Sequence, residues 1–260
     1  MISARVATLY ASIHQWKLEK ERRFLLENIV IEHMSESFIL WRCLHSGPLS
    51  RETIDELPKE RREEWETRHA TNVPLLAKII KTYGTCAILA RDGSQIVGFL
   101  RFYPKLLYSM EDAGALCLQQ AFPAGPSRCL AEKGFTPLEE IKDKTLRVHC
   151  MMTGSPLREE NPYQRKGIGT KMVRELMRWA KEKGWRNIEA TTYENLDILY
   201  ANTGQAGKHF WEKLGFQLVK TETEPGFGGE FLKTMQKQAE MQNLPPEKTQ
   251  NKYTMQIQLT

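Results

Sequence analysis

The chain has 260 residues, with 37 lysines and arginines against 32 acids and a formal net charge of +5. A chain this long can bury roughly 70–75% of its unfolded surface, so no disulfide or metal is needed to hold a core. With 41% apolar and 27% charged residues the composition excludes bulk disorder and collagen-like repeats.

No uncharged apolar run approaches the ~18 residues of a membrane span, so no membrane partner is expected. Met1 to Gln15 carries one charge, Arg5, and no sustained apolar core, which does not read as a secretory signal. Five cysteines, an odd number without a C-x-x-C pair, fit neither a disulfide framework nor a zinc site. Reduced thiols in a cytoplasmic protein without a metal are the expectation.

Residues 1–33 read as an N-terminal extension, with Leu9, Ile13 and Trp16 at helical spacing. The main domain is expected over 34–260, its first strand at Phe38–Trp41. The charged stretch Ser50–His69 predicts one helix with Pro58 in its first turn, and Pro74 to Gly84 a second. Thr85–Ala90 and Gln95–Tyr103 flank Asp92-Gly93, a favoured pair for a tight hairpin turn. An insertion at about 104–144 holds Pro123, Pro126 and Pro137 without strong periodicity, and a connection that long is usually functional.

Thr145–Met152 predicts a strand, followed by a polar loop from Gly154 to Pro162. From Tyr163 to Gly184 the stripe Ile168, Met172, Leu176, Trp179 and Ala180 predicts an amphipathic helix closed by Gly184. Trp185–Tyr193 predicts a strand, and Gln205–Leu214 a short helix for which Asn202 is a candidate cap. Strands at Phe216–Thr223 and Tyr253–Leu259 follow, with a flexible Gly226–Gly229 between them. A hairpin followed by alternating strands and helices predicts an α/β fold with a mixed central sheet flanked by helices.

Charge is unevenly spread. Between Arg165 and Arg186 stand eight basic residues against two acids, a surplus of six that exceeds the net charge of the whole chain. Such a segment suits an anionic partner or, more blandly, a solvated helix face.

At its start, Gln164-Arg-Lys-Gly-Ile-Gly-Thr170 leads into the basic helix. Glycines let backbone N–H groups close on an oxyanion, and the helix N-terminus adds its positive dipole end. Lys166 precedes the first glycine, so the spacing fails the Walker A pattern, and the intervening polar loop argues against a Rossmann fingerprint.

Gln164-x-x-Gly167-x-Gly169 between a strand and a basic helix, followed by a strand and then His209-Phe-Trp-Glu-Lys-Leu-Gly-Phe216, resembles the GNAT superfamily of N-acetyltransferases. The resemblance covers roughly Phe38 to Leu259. It implies a GNAT-like sheet and an acetyl-CoA-dependent transfer of an acetyl group to an amine by direct attack. Acetyl-CoA is the implied acyl donor, its pyrophosphate held by Gln164, Arg165, Lys166, Gly167, Ile168, Gly169 and Thr170. Backbone N–H groups of Met151 or Met152 would meet the thioester oxygen, with Asn202 and Trp211 beside the cofactor.

Two departures stand out. The family's tyrosine, general acid toward the thiolate, aligns with Trp211, whose indole N–H donates a hydrogen bond but does not usefully give up its proton. The family's asparagine aligns with Gly204. The catalytic candidates are therefore His149, of the residue type best suited to proton transfer near neutral pH, the competing base Glu189 (with Glu194 just beyond it), and Tyr193 as acid. The acceptor is expected to be an amine-bearing small molecule, protein or peptide, the nucleic-acid reading being the weaker one; a homodimer stays open. The rival reading is a non-catalytic module on the same fold that senses CoA or contacts nucleic acid.

Overall fold

The computed structural model describes residues 28–42, 58–108, 130, 135–154, 161–203, 206–224 and 228–260. The helix expected around Leu9–Trp16 and the middle of the 104–144 insertion, with Cys117 and Cys129, lie outside the described residues. Among the described residues no helix is long and apolar enough to cross a membrane.

The strands are β1 (Ile29–His33), β2 (Ala87–Asp92), β3 (Gln95–Pro104), β4 (Thr145–Thr153), β5 (Asn187–Thr192), β6 (Gln217–Thr223) and β7 (Asn251–Gln258). They form one seven-stranded mixed sheet in the order β1-β2-β3-β4-β5-β7-β6. Neighbours run antiparallel except β4 and β5, which are parallel. The helices are α1 (Lys59–Tyr83), α2 (Ile168–Lys183), α3 (Asp197–Thr203), α4 (Lys208–Glu212) and α5 (Gly229–Met241).

Several expectations need correction. Phe38–Trp41 is not a strand; Phe38 makes only an isolated bridge to Ser35. The sheet's edge is instead β1, drawn from residues read as extension and ending one residue before the expected boundary. The two helices expected on either side of Pro74 are one helix, α1, with the proline inside it. Proline removes one ladder hydrogen bond there, but Leu76, Ile79 and Ile80 beyond it are buried and keep the second half docked. The helix expected from Tyr163 begins only at Ile168, because Gly167 is left-handed, with φ 91°. The helix expected over Gln205–Leu214 is the shorter α4, while α3 and α5 were not foreseen.

Helix α2 lays its apolar stripe on the sheet. Ile168, Met172, Val173, Leu176, Trp179 and Ala180 are buried, the larger side chains contributing roughly 1.5–3 kcal/mol each by burial. It can close on the sheet because residue 98 is glycine. A Cβ there would sit 2.8 Å from the Ala90 Cβ and 3.1 Å from both Ile168 and Met172. That close approach fixes where the start of α2, and hence the glycine loop, stands over β3 and β4.

Candidate active site

Strands β4 and β5 separate partway along their length. Thr145–Val148 pair with Asn187–Ala190, but β4 continues to Thr153 and β5 to Thr192. At the point of separation the β3–β4 register shifts: Arg101 opposes Cys150 while Phe102 opposes Val148, leaving His149 as the extra residue. Such a bulge re-aims the side chains around it.

Two cavities meet at this gap. The larger, about 380 Å³, is walled by Met151, Met152 and Thr153 of β4, by Gly167, Ile168, Gly169 and Thr170 at the start of α2, and by Leu196, Asp197, Tyr200, Gly207 and Phe210 opposite. The smaller, about 20 Å³, is lined by Tyr108, Arg147, Val148, His149, Cys150, Thr191 and Trp211. Met151 and Ala206 border both.

The wall of the larger cleft is suited to an anion. Gly167 in its left-handed turn precedes the first N–H groups of α2, which have no partner within the helix. Gly169 keeps the wall open: a Cβ there would lie 3.6 Å from Met151 and from Phe210, in the cleft's lining. Upstream, the Asn161 amide donates to the Thr153 carbonyl at 2.9 Å and its oxygen accepts from the Tyr163 N–H at 3.1 Å. The Tyr163 hydroxyl donates to Asp92 at 3.0 Å, tying the loop to the hairpin turn. Arg165, with φ 56°, reaches Asp197 on α3 at 2.6 Å across the mouth. That pair is strongly exposed and contributes little to stability.

Of the expected cofactor residues, Met151, Met152, Arg165, Gly167, Ile168, Gly169 and Thr170 line the larger cleft. Gln164 and Lys166 line neither cavity. Asn202 belongs to α3, and its side chain is outside the described residues. Trp211 lines the smaller cavity; it is 3% exposed, and its buried Nε1 has no hydrogen-bond partner among the described residues.

The three catalytic candidates are not gathered in one place. His149 is buried and lines the smaller cavity, its ring 5.4 Å from Tyr103 and 6.2 Å from Tyr108. Glu189 is buried but already engaged, at 2.7 Å by the Lys105 ammonium and at 3.4 Å by the Arg147 Nε. Tyr193 borders neither cavity: it packs with Leu196, Leu199, Met235 and Ala239 and directs its hydroxyl to Glu224 at 3.4 Å. Glu194 accepts the Tyr253 hydroxyl at 2.5 Å, and burial followed by that bond pushes the Tyr253 phenol up to about 12.

Two further groups are poor proton donors or nucleophiles. Burial carries the Tyr103 phenol well above its ordinary range. Burial also pushes the Cys86 thiol up to about 12 despite the nearby Arg101.

Asn195, Tyr200, Phe210 and Tyr108 complete the walls and were not singled out in the sequence. Tyr200 shares a hydrogen bond with the Thr153 hydroxyl at 3.2 Å. Asn195 accepts the His209 N–H at 3.0 Å, and a Cβ on Gly207 would fall 2.4 Å from its oxygen. The only available signal for Asn195 was that glycine ahead of a helix start.

Residues 160–216 match the model of the acetyltransferase (GNAT) family. No curated protein matches the chain. Among solved structures it is similar to an acetyltransferase of the GNAT family from Streptococcus pneumoniae, at 13% identity, TM-score 0.45, covering 89% of this chain and 99% of that one. It is also similar to an IAA acetyltransferase from Bacillus cereus, at 14% identity, TM-score 0.41, covering 89% and 99%. A third is a putative acetyltransferase from Salmonella typhimurium with its cofactor acetyl-CoA, at 12% identity, TM-score 0.41, covering 90% and 95%. The segment that matches the acetyltransferase (GNAT) family, 160–216, runs from just before the glycine loop through the second motif.

Proposed function

We propose that the protein is an acetyl-CoA-dependent N-acetyltransferase. The observation that carries the reading is the 380 Å³ cleft, which runs from the open N-terminus of α2 to the gap between β4 and β5. One end is suited to a pyrophosphate, through the backbone N–H groups of Gly167–Thr170 and the helix dipole. The walls formed by Met151, Met152 and Phe210 suit the less polar arm. When bound, acetyl-CoA supplies an activated acetyl thioester.

The chain's own residues then have separable tasks. His149, at the bulge beside the gap, accepts the proton of the acceptor ammonium, since only the neutral amine is a nucleophile. The neutral amine would form the new C–N bond as the C–S bond breaks; the first ammonium proton is then on His149, and the second, lost from nitrogen after attack, goes to the departing thiolate, which leaves as the thiol. Trp211 offers its Nε1–H, which has no partner among the described residues, to the developing negative charge without transferring a proton. A free thiol has a pKa near ~8.5, so a hydrogen-bonded thiolate is a tolerable leaving group. Tyr193, turned toward Glu224, takes no part in this scheme, and Glu189 acts through its pairing with Lys105 and Arg147.

The test is acetyl-CoA-induced thermal stabilisation together with release of free thiol over a panel of amines. Stabilisation without thiol release from any amine would favour the CoA-sensing alternative. No stabilisation at all would overturn the proposal.

A further inference from the structure

The smaller cavity has a charge balance unusual for a site that must accept an amine. An ammonium is ordinarily met by a carboxylate, yet among the described residues no acid lines this cavity. The nearest, Glu189, is held at 2.7 Å by Lys105, a pair that is neutral by itself. Arg147 reaches Glu189 only at 3.4 Å, through Nε, and the Thr191 hydroxyl only at 3.4 Å, through Nη2. Its Nη1 bonds to none of the described residues, and its guanidinium lies 5.3 Å from the centre of the Tyr108 ring. Among the described residues, the trio of Lys105, Glu189 and Arg147 thus carries one surplus positive charge, and of its two cations Arg147, with a side chain only 15% exposed, is the more buried and the one that lines the cavity.

The other polar groups there point the same way. Trp211 Nε1 is a buried donor with no partner among the described residues, and Thr191 and His149 add polar residues to the lining. A cavity of about 20 Å³ admits a water or one small polar group rather than an apolar side chain. A planar guanidinium with an available edge matches a carboxylate.

We propose that the acceptor is a small amine that also carries a carboxylate, and that Arg147 is the residue that selects it. This rests on the acetyl-transfer reading. Arg147 would engage the carboxylate and so orient the amine toward His149 and the gap. The Lys105–Glu189 pair keeps the arginine from being neutralised by its neighbouring strand.

The experiment compares amino acids with their amides and with the corresponding decarboxylated amines, as acceptors and as ligands of the CoA-saturated protein by calorimetry. The acids should exceed their decarboxylated counterparts at least tenfold in kcat/KM and in affinity. Arg147→Gln should reduce that preference to within about twofold, chiefly by raising KM for the acids, with acetyl-CoA affinity retained. Glu189→Gln, which leaves Arg147 less compensated, should widen the preference, so the proposal survives a poorly folded Arg147 variant. Equal use of acids and decarboxylated amines would overturn it, as would binding of neither class to the CoA-loaded protein. Failure of acetyl-CoA itself to bind would instead strike the acetyl-transfer reading beneath it.

Discussion

The two cavities that meet at the β4–β5 gap are built on different principles. The larger is bounded where an anion would sit by main chain: a left-handed glycine, the first N–H groups of α2, and a second glycine that leaves room. The smaller is bounded by residues from five separated stretches, Tyr108, Arg147–Met151, Thr191, Ala206 and Trp211. Recognition by main chain depends on local spacing, whereas recognition by side chains depends on how distant strands come together. The first is a property of a short peptide and the second of the whole sheet.

That contrast can be broken most decisively at Gly169. A Cβ fits there at ordinary contact distance, so Gly169→Ala should bind acetyl-CoA and Gly169→Asp should not. At a hundredfold excess over Kd the ligand stabilises by about 2.7 kcal/mol, and the aspartate variant should lose all of it in a thermal-shift titration. A full shift in Gly169→Asp would move the anion site elsewhere.

On the other side, His149→Gln should keep acetyl-CoA binding but lower kcat/KM by ~10²–10⁴, the usual range for a positioned base. The loss should shrink as pH rises toward the acceptor's own pKa, where the amine is already neutral. A pH-independent loss would remove the base assignment.

Trp211→Phe is expected to have a smaller effect. Losing a hydrogen bond to a charged group costs about 1.5–3 kcal/mol, so kcat should fall by roughly 10- to 150-fold with KM for acetyl-CoA little changed. An unaltered kcat would make the indole a wall and nothing more.

The smallest effect belongs to neither cavity and serves as a control. On the exposed side of α2, the Arg178 guanidinium holds the Glu175 carboxyl below its usual range, burial opposing and His33 assisting. A depressed carboxylate stabilises the fold above its unfolded pKa of ~4.3, and that contribution fades as pH falls through the lower folded value. Glu175→Gln should flatten the acid limb of the stability curve by no more than about 1 kcal/mol. Chemical denaturation between pH 3 and 7 measures it, and an unchanged limb would show the pair to be inert.

What could be read in advance follows the same division. The hairpin at Asp92-Gly93, strand β4 and the stripe of α2 are local patterns of period 2 or 3.6, and they stand close to where their residues put them. The left-handed turn at Gly167 was legible because such a turn is one of the few requirements that call for glycine at a helix start. Proline 74 misled because tertiary burial of Leu76 and Ile79 outweighs one lost hydrogen bond. For Tyr193, strand alternation says which residues share a face but not that β5 ends at Thr192 and the phenol turns toward Glu224. Arg147 carries no local sequence signal, since its partner Glu189 is 42 positions away on β5.

The position of β7 bears on how the chain reaches this state. Strands β1 to β5 pair in chain order, but β6 touches the sheet only through β7, which follows it in sequence and lies between it and β5. Early in folding, the β2–β3 hairpin can form from local contacts alone, while β6 has no partner until Asn251–Gln258 arrives. Closing such non-local contacts is slow compared with hairpin formation. An incompletely synthesised chain would thus hold a nearly complete left half of the sheet and an unpaired strand bearing exposed Leu218 and Val219. Refolding followed by pulsed hydrogen exchange should see β2 and β3 protected first and β6 and β7 together, last.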